Sequence, residues 1–324
     1  MRRRHALSLL AAPLLLPRIA TAQAAWAPTR PVTLVVPFPP GGPTDLAARV
    51  IQAGMQAALG QPVVVDNRPG ATGAIGSRFV AAAPADGHTL LVAASGTLTI
   101  NPVVMRTPGY DVERDFAPVT LVMTAPNMLV VHPSVPARNV AEVVAWMKAQ
   151  TGGANYASSG VGSSEQLGME LFRLRTGTEA NAVPFAGGPA AATAVIQNTA
   201  PIAMLNAATI GPHVLSGAVR GIAIAGPRRF PALPDVPTMT EQGLPEILSG
   251  SWTGIVAPAA TPEAALTRLN EVIVAALRTP EVTERLARVG FAVDATPRAE
   301  LGRLIASDLA RWRQVVRDAR IEVN

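Results

Sequence analysis

Two stretches of this 324-residue chain carry residue types that can hold an anion without a cation. In the first, the apolar run Val32 to Val36 leads through Phe38, Pro40, Gly41 and Gly42 into Pro43-Thr44-Asp45. Such a run reads as a strand covered on both faces. Paired glycines leave the backbone open to close approach, and proline suits the first helical turn, where its missing N–H costs nothing. A strand, a glycine loop and a helix start together offer free N–H groups to an anion. The local alternative is a glycine N-cap with Asp45 reaching back to it, and both readings can hold at once. In the second stretch, Asn155 to Ala157 precedes Ser158-Ser159-Gly160-Val161-Gly162-Ser163-Ser164 and then a helix. Ser163 and Gln166 have capping-box spacing, so Ser163 is expected to cap that helix while its first amides stay on offer.

Other motifs point to less. Gly70, Gly73 and Gly76 have G-x-x-G-x-x-G spacing, which is not the dinucleotide fingerprint. No G-x-S-x-G elbow or P-loop lysine motif occurs. His88, His132 and His213 are far apart and form no H-x-x-x-H pair, so a metal site is not expected. His88 and His213 read as surface positions, and Trp252 either lines a cleft or fills a core. With no cysteine, thiolate catalysis, disulfides and cysteine-zinc sites are excluded.

The elements that must position these loops alternate as strand and helix, which predicts α/β architecture with mostly parallel sheets. The first helix is expected from Pro43 to Leu59, with Leu46, Val50, Ala53 and Ala57 as its apolar stripe and Gly60 as its stop. Strands follow at Val63 to Asp66 and Thr89 to Ala94, with a helix carrying Ile75, Phe79 and Val80 between them. Phe116 to Met123 and Asn127 to Val131 read as two strands separated by Pro126. Asn139 and Glu142 have capping-box spacing. Helices around Leu167 to Leu174 and Ala190 to Ile196 alternate with strands at Ile202 to Leu205, Ile222 to Ala225 and Trp252 to Ala257. In Thr261-Pro262, Thr279-Pro280 and Thr296-Pro297, the threonine is expected to cap a helix whose first residue is the proline. Two compact regions are expected, joined by crossings near Thr124-Ala125-Pro126 and near Gly250.

Hydrophobic residues make up 49% and charged residues 15%, the balance of a globular chain. The formal charge is +5, from 27 basic and 22 acidic residues. Arg2, Arg3, Arg4 and Arg18 lie in a segment without acids, so residues beyond 22 carry 23 basic and 22 acidic groups, or +1. No basic stripe with interleaved aromatics is present, and nucleic acid is not an expected partner. Arg2 to His5, the apolar stretch Ala6 to Leu16 and Ala20-Thr21-Ala22 form a tripartite export signal, with cleavage expected before Gln23. The general and twin-arginine routes both remain open. The mature protein is expected in the periplasm, soluble and monomeric.

Seven segments together resemble the Bug-type receptors, the solute-binding proteins of tripartite tricarboxylate transporters. They are VPFPPGGPTDLAAR (36–49), VVVDNRPGATGAIG (63–76), ADGHTLL (85–91), YDVERDFAPV (110–119), YASSGVGSS (156–164), ALPDVPTMTEQGLP (232–245) and SWTGIVAPAATP (251–262). The resemblance implies a two-lobed type II periplasmic-binding-protein fold with a ligand cleft between lobes, and no catalysis. Its lobes would be 23–125 with 252–324, and 126–251. It implies a small carboxylate held by the two loops already singled out, and delivery to membrane subunits of a transporter or, in some members, to a sensor. The expected ligand-binding set is Phe38, Pro40, Gly41, Gly42, Thr44, Ser95, Ser158, Ser159, Gly160, Gly162, Ser163, Ser164, Ala186 and Asn206, with no cofactor and no metal. The chain departs from the family pattern at Gln166, where histidine is common, at Ala186, where lysine or arginine is usual, and at Asn198-Thr199-Ala200-Pro201, which lacks the usual acid. The rival classes are an exported α/β hydrolase, for which no nucleophile and base are evident, and an exported interaction protein, which has no need of two glycine-rich helix starts.

Overall fold

The structure, a computed structural model, describes residues 26–321, so the expected export segment lies outside the described residues. In chain order, β1 (Val32–Val36), α1 (Pro43–Leu59), β2 (Val63–Asn67), α2 (Ala74–Ala81), β3 (Thr89–Ala94), the short helices α3 (Asn101–Val104) and α4 (Val112–Asp115), and the long strand β4 (Phe116–Val131) come first. Next are α5 (Val140–Lys148), β5 (Ala154–Ser158), α6 (Ser164–Thr176), β6 (Ala180–Pro184), α7 (Gly188–Ile196), β7 (Ile202–Asn206), α8 (Ala207–Leu215) and β8 (Arg220–Ile224). Then follow β9 (Gly250–Pro258), α9 (Glu263–Leu277), α10 (Pro280–Arg288), β10 (Ala292–Val293) and α11 (Arg298–Asp318).

These strands form two sheets that share β4. One runs β2-β1-β3-β9-β4, with β10 also paired to β4, and the other runs β6-β5-β7-β4, with β8 also paired to β4. The switch falls inside β4: Phe116 to Pro126 pairs with β9, and Asn127 to Val131 pairs with β7 and β8. The second crossing lies beside the first, since Pro126 is opposite Gly250 and Thr124 is opposite Trp252. The expectation of mostly parallel sheets is corrected. β1 runs parallel to β2 and β3, and β5 to β6 and β7, while the pairings of β4 and β9 with their neighbours are antiparallel. The reason is the crossing itself. A strand returning from the other lobe enters where β3 ends and must run back against it, so Ala94 pairs with Thr253 and Leu91 with Val256.

Both faces of each sheet are covered, which explains the near-continuous apolar strands. In the first lobe, Leu34, Val36 and Leu90 pack with Ile51 and Met55 of α1 and Leu269 and Ile273 of α9. On the opposite face, Val35, Leu91 and Ala93 pack with Val80 of α2 and Leu301 and Ile305 of α11. The second lobe packs Leu129, Tyr156 and Met204 against Leu167 and Phe172 of α6, and Met128, Val130 and Leu205 against Val195 of α7 and Ile210 of α8. α11 serves both lobes, because Trp312, Val315 and Val316 near its end join the second lobe's core.

Several local expectations are corrected. β4 is one strand, not two. Pro126 interrupts nothing because it sits where β4 changes sheets. The buried face of α1 carries Ala47, Val50, Ile51 and Met55, whereas Ala53 and Ala57 face outward. Larger side chains decide the face, and α1 lies close enough to α9 that a Cβ on Gly54 would be 2.8 Å from Ala276. Ile75 and Phe79 are exposed, while Ala74, Ser77 and Val80 point inward. The Arg68 guanidinium covers the Phe79 ring at 3.6 Å. Pro262 and Pro297 are themselves the N-caps of α9 and α11, and only Thr279 occupies a cap position, without a side-chain cap bond. Thr296 instead accepts from the Leu121 amide, 3.3 Å away, tying α11 to β4. His88 is buried under Trp26, whose ring meets it edge-on at 5.7 Å. The predicted caps of Asn139 and Ser163 are present.

Trp252 is a core residue, and its Nε1 donates to Asp308 Oδ2 of α11 at 2.8 Å. Asp308 also accepts from Arg311, whose Nη1 reaches Leu248 O just before the second crossing. Burial pushes the Asp308 carboxyl up from its ordinary value, against the pull of Arg311 and Trp252. Trp252→Phe is therefore expected to lower unfolding stability by about 1–3 kcal/mol, the cost of leaving a buried acceptor short of a donor. Urea unfolding followed by circular dichroism measures this. A loss under about 0.5 kcal/mol, the scale of ordinary surface changes, would mean that the bond is idle.

Candidate ligand-binding site

The C-terminal ends of β1, β3, β5 and β7 all point toward the two crossings, where ligands bind in open α/β sheets. α1 begins after β1, α6 after β5, α7 after β6 and α8 after β7. Their unpaired first-turn amides carry partial positive charge. Sequence patterning therefore identifies the loops, and the topology brings their helix starts to the end of each sheet where its parallel strands finish.

The first loop is braced by an acid. Gly42 is the N-cap of α1, with φ −79° and ψ 172°, and it is Gly41, at φ +88°, that occupies the left-handed region. The Gly41 amide donates to Asp45 Oδ2 at 3.0 Å. Arg49 Nε donates to the same oxygen at 2.8 Å, and Asn67 Nδ2 donates to Asp45 Oδ1 at 3.0 Å and to Phe38 O at 3.1 Å. Asp45 thus knits the loop to α1 and β2. Arg49's hydrogen bond is the chief reason its carboxyl is held down at about 2, with Gly41, Asn67 and the Arg49 charge helping against burial. The acid also meets its counter-charge within the helix, which lessens its repulsion of any bound anion. Pro40 is exposed and Thr44 is buried.

The second loop is braced in the same way by a carboxamide. The Gly162 amide donates to Gln166 Oε1 at 2.7 Å, and the Gln166 amide donates to Ser163 Oγ at 3.2 Å. Gly160 and Gly162 have φ +132° and +73°, which favour glycine. Ser159 is half-buried. Ser158 is fully buried, and its Oγ has no hydrogen-bond partner among the described residues. Ser164 is buried, and its Oγ donates to Glu165 Oε2 at 3.0 Å.

The second loop borders one stretch of the first lobe, the π-helical turn Gly96–Ile100 and α3, and Gly73 lies between Phe38 of the first loop and the same stretch. A Cβ on Gly162 would lie 3.5 Å from the Val104 side chain, and one on Gly73 would lie 2.8 Å from Thr97 Oγ1 and 3.3 Å from the Phe38 ring. Gly73, Thr97 and Val104 were not expected here. The signal available for them was position, since the 70–76 loop and the 95–104 stretch follow the C-terminal ends of β2 and β3. Thr72, at φ +51°, is strained for a β-branched residue, and Asn101 Nδ2 holds its carbonyl at 2.9 Å.

The remaining expected residues sit at the edges. Ser95 Oγ accepts from the Trp252 amide at 3.4 Å, beside the second crossing. Asn206 caps α8 through the Ala208 amide, and its Nδ2 donates to Ala125 O at 3.3 Å and Ser251 Oγ at 2.9 Å, so it joins both crossings. Ala186 is exposed in the loop before α7, next to the second loop, where the Phe185 amide donates to Ser158 O at 2.9 Å. No metal-ligand cluster is found among the described residues, and no helix there is long and apolar enough to cross a membrane.

The folded Asp45 pKa lies below its ordinary value of 3.8, so its contribution to stability is complete above about pH 4 and is lost as pH falls toward 2. The Tm difference between wild type and Asp45→Asn is therefore expected to shrink across that window. A difference that stays constant from about pH 5 to about pH 2 would remove Asp45 as the brace.

Comparison with known proteins gives one picture. The family described as "Tripartite tricarboxylate transporter family receptor" matches residues 47–321. Protein BugT of Bordetella pertussis is 38% identical over 293 residues, covering 90% of this chain and 90% of that protein. The structure of Rpa4515 from R. palustris with adipate is 35% identical with a TM-score of 0.73, covering 91% of this chain and 99% of that one. MatC from Rhodopseudomonas palustris with bound malate is 34% identical with a TM-score of 0.70, covering 89% and 99%. With its two lobes, its crossing strands and these relatives, the chain belongs to the tripartite tricarboxylate transporter receptor family, as a Bug-type solute-binding receptor.

Proposed function

We propose that this receptor captures a small carboxylate between its lobes in the periplasm and presents it to membrane subunits of a tripartite tricarboxylate-type transporter. The lobes in this reading are 23–125 with 252–324, and 126–251. The observation that carries it is the pair of matched loops. Each follows a parallel strand, each opens a helix, and each has a glycine amide bonded to the side chain four residues on, Gly41 to Asp45 and Gly162 to Gln166. The second borders the 96–104 stretch, and Gly73 lies between that stretch and Phe38 of the first. The carboxylate ligands named for Rpa4515 and MatC support the chemistry.

In this reading the carboxylate is held by oriented amides and hydroxyls. Neither Phe38 to Thr44 nor Ser158 to Ser164 contains Lys, Arg or His. Gly42 and Thr44, at the start of α1, offer helix-start amides, and the unpartnered Ser158 hydroxyl is a further donor at hand. Hydrogen bonds to a charged group contribute about 1.5–3 kcal/mol each, so three or four reach ordinary receptor affinity after the cost of ordering. Phe38 and Ala186 flank the site, and Pro40, Gly41, Gly160, Ser159 and Ser163 hold the loops in shape, with Ser95, Gly162, Ser164 and Asn206 completing the set.

Isothermal titration of the mature protein with malate, adipate and a panel of other small mono-, di- and tricarboxylates tests the reading. Binding of at least one acid at about 10 μM or tighter, with no turnover of an ester panel, is expected, an affinity near −7 kcal/mol. No binding across the panel together with ester hydrolysis would favour the exported hydrolase.

Gly42→Val separates ligand approach from folding. The extended backbone of Gly42 accepts a branched residue, and a Cβ there meets nothing nearer than Pro39 O at 3.9 Å. The variant is expected to fold with an unchanged circular dichroism spectrum and to bind the panel acid at least about tenfold more weakly, or 1.4 kcal/mol. Gly162→Val is a poorer test, because φ +73° strains any side chain there. Unaltered affinity in Gly42→Val would place the ligand away from this loop.

A further inference from the structure

The two crossings and the second loop are joined by one buried side chain. Asn127 is the first residue of β4 past the switch from one sheet to the other, and it is fully buried. Its amide donates to Ser249 O at 2.9 Å, which pairs it with the residue just before the second crossing. Its side chain turns to the ligand loop instead. Nδ2 donates to Ser164 O at 3.1 Å and to Ser249 Oγ at 2.9 Å, and Ser249 Oγ donates to the same Ser164 carbonyl at 2.9 Å. A carbonyl only accepts, so the atom facing Ser164 must be the amide nitrogen.

Three features argue that this cluster is more than core filling. Asn127 Oδ1 is buried without a partner among the described residues, so the residue sits at a cost that an apolar side chain would not carry. Ser164 is the first residue of α6, and its carbonyl is gripped by residues of both crossings at once. The space is also closed. A Cβ on Gly168, one turn along α6, would come within 2.4 Å of Ser249 Oγ, and a Cβ on Gly250 would come within 2.8 Å of both Ala125 O and Pro126 Cα. Any change in the angle between the crossings must therefore move Ser249 relative to Asn127, and with them the end of the loop.

We propose that Asn127, with Ser249, is a positioning residue that couples the geometry of the interlobe crossings to the second ligand loop, so that seating a ligand in the loop and closing the lobes are one event. The proposal rests on the binding reading above for the identity of that loop, and its test uses no ligand. Asn206 joins the same crossings at Ala125 and Ser251 but makes no such bond to Ser164, which leaves Ser251 as a control.

The test is a double-mutant cycle read by amide hydrogen exchange in the ligand-free mature protein. Gly250→Ala wedges the crossings apart. It is expected to speed exchange of the Gly162 to Gln166 amides at least about fivefold, the low end of ordinary coupling. In the Asn127→Ala/Ser249→Ala background the same wedge is expected to change those amides less than about twofold, while in Ser251→Ala it keeps its full effect. A purely structural role for Asn127 would raise exchange in the double variant but leave the response to the wedge intact, and that result overturns the proposal. A wedge without effect on the loop in wild type also overturns it. If Gly250→Ala unfolds the protein, temperature-dependent exchange of the same amides in wild type and in Asn127→Ala/Ser249→Ala supplies the comparison: parallel profiles for the loop and the β4–β9 amides in wild type that stay parallel in the double variant count against coupling. Failure to bind any carboxylate would remove the binding reading and leave this cycle untouched.

Discussion

The antiparallel pairing of β4 with β9 at Pro126 and Gly250 is the constraint on which the rest of the structure depends. Two chain segments must pass between lobes side by side, still hydrogen-bonded, and in a space that admits no side chain on one of them. A Cβ on Gly250 would press on Ala125 O and Pro126 Cα at 2.8 Å. Proline is tolerated here because the ladder changes partners at this point, from β9 to β7 and β8. The pairing also dictates strand direction. Because β9 re-enters the first sheet from the crossing, it opposes β3, and the C-terminal ends of the parallel strands in both sheets face the same gap. The helix starts follow those ends, so the position of the candidate site is a consequence of the crossing.

Polar groups around that gap are arranged so that the loops hold their own shape. The repeated bond from a loop glycine to the side chain four residues later uses an acid in one lobe and a carboxamide in the other. The acid is compatible with an anion site because Arg49 sits on it. The side chain at position 166 is thereby assigned a local job: Gln166 closes the turn at Gly162. Fixing the loops before any ligand arrives lowers the entropy lost on binding.

α11 adds a second connection between the lobes. Leu301 and Ile305 belong to the first lobe's core, Trp312, Val315 and Val316 to the second's, and the Asp308 carboxylate between them holds Trp252 beside the crossing. Ile100 of the π-helical turn also packs in the second lobe's core, although it follows β3 of the first sheet. Lobe boundaries drawn at the crossings therefore describe the sheets better than they describe the packing. Movement between lobes must accommodate a helix anchored in both.

By itself the sequence determined the local elements and the identity of the two loops. Apolar runs bounded by glycine and proline specify β1, β3 and β7, Gly60 stops α1, and Ser163 with Gln166 caps α6, because these signals act within a few residues. The seven family-like segments were likewise readable as a linear pattern. Tertiary structure alone decided what depends on contacts between distant residues. Pro126 read as a break between two strands, and only the change of pairing partners makes β4 continuous. The threonines before Pro262 and Pro297 read as caps, but Thr296 is drawn to Leu121 of β4 instead. Alanines at 53 and 57 fit a stripe by spacing, yet α9 and the sheet select Ile51 and Met55, whose larger surfaces gain more from burial. Thr97, Val104 and Asn127 carry no motif at all, and the glycine run around Gly73 pointed to no site. Gly73, Thr97 and Val104 reach the candidate site because parallel strands end there, Asn127 because β4 changes sheets there, and the pairing that brings those places together joins residues more than a hundred positions apart.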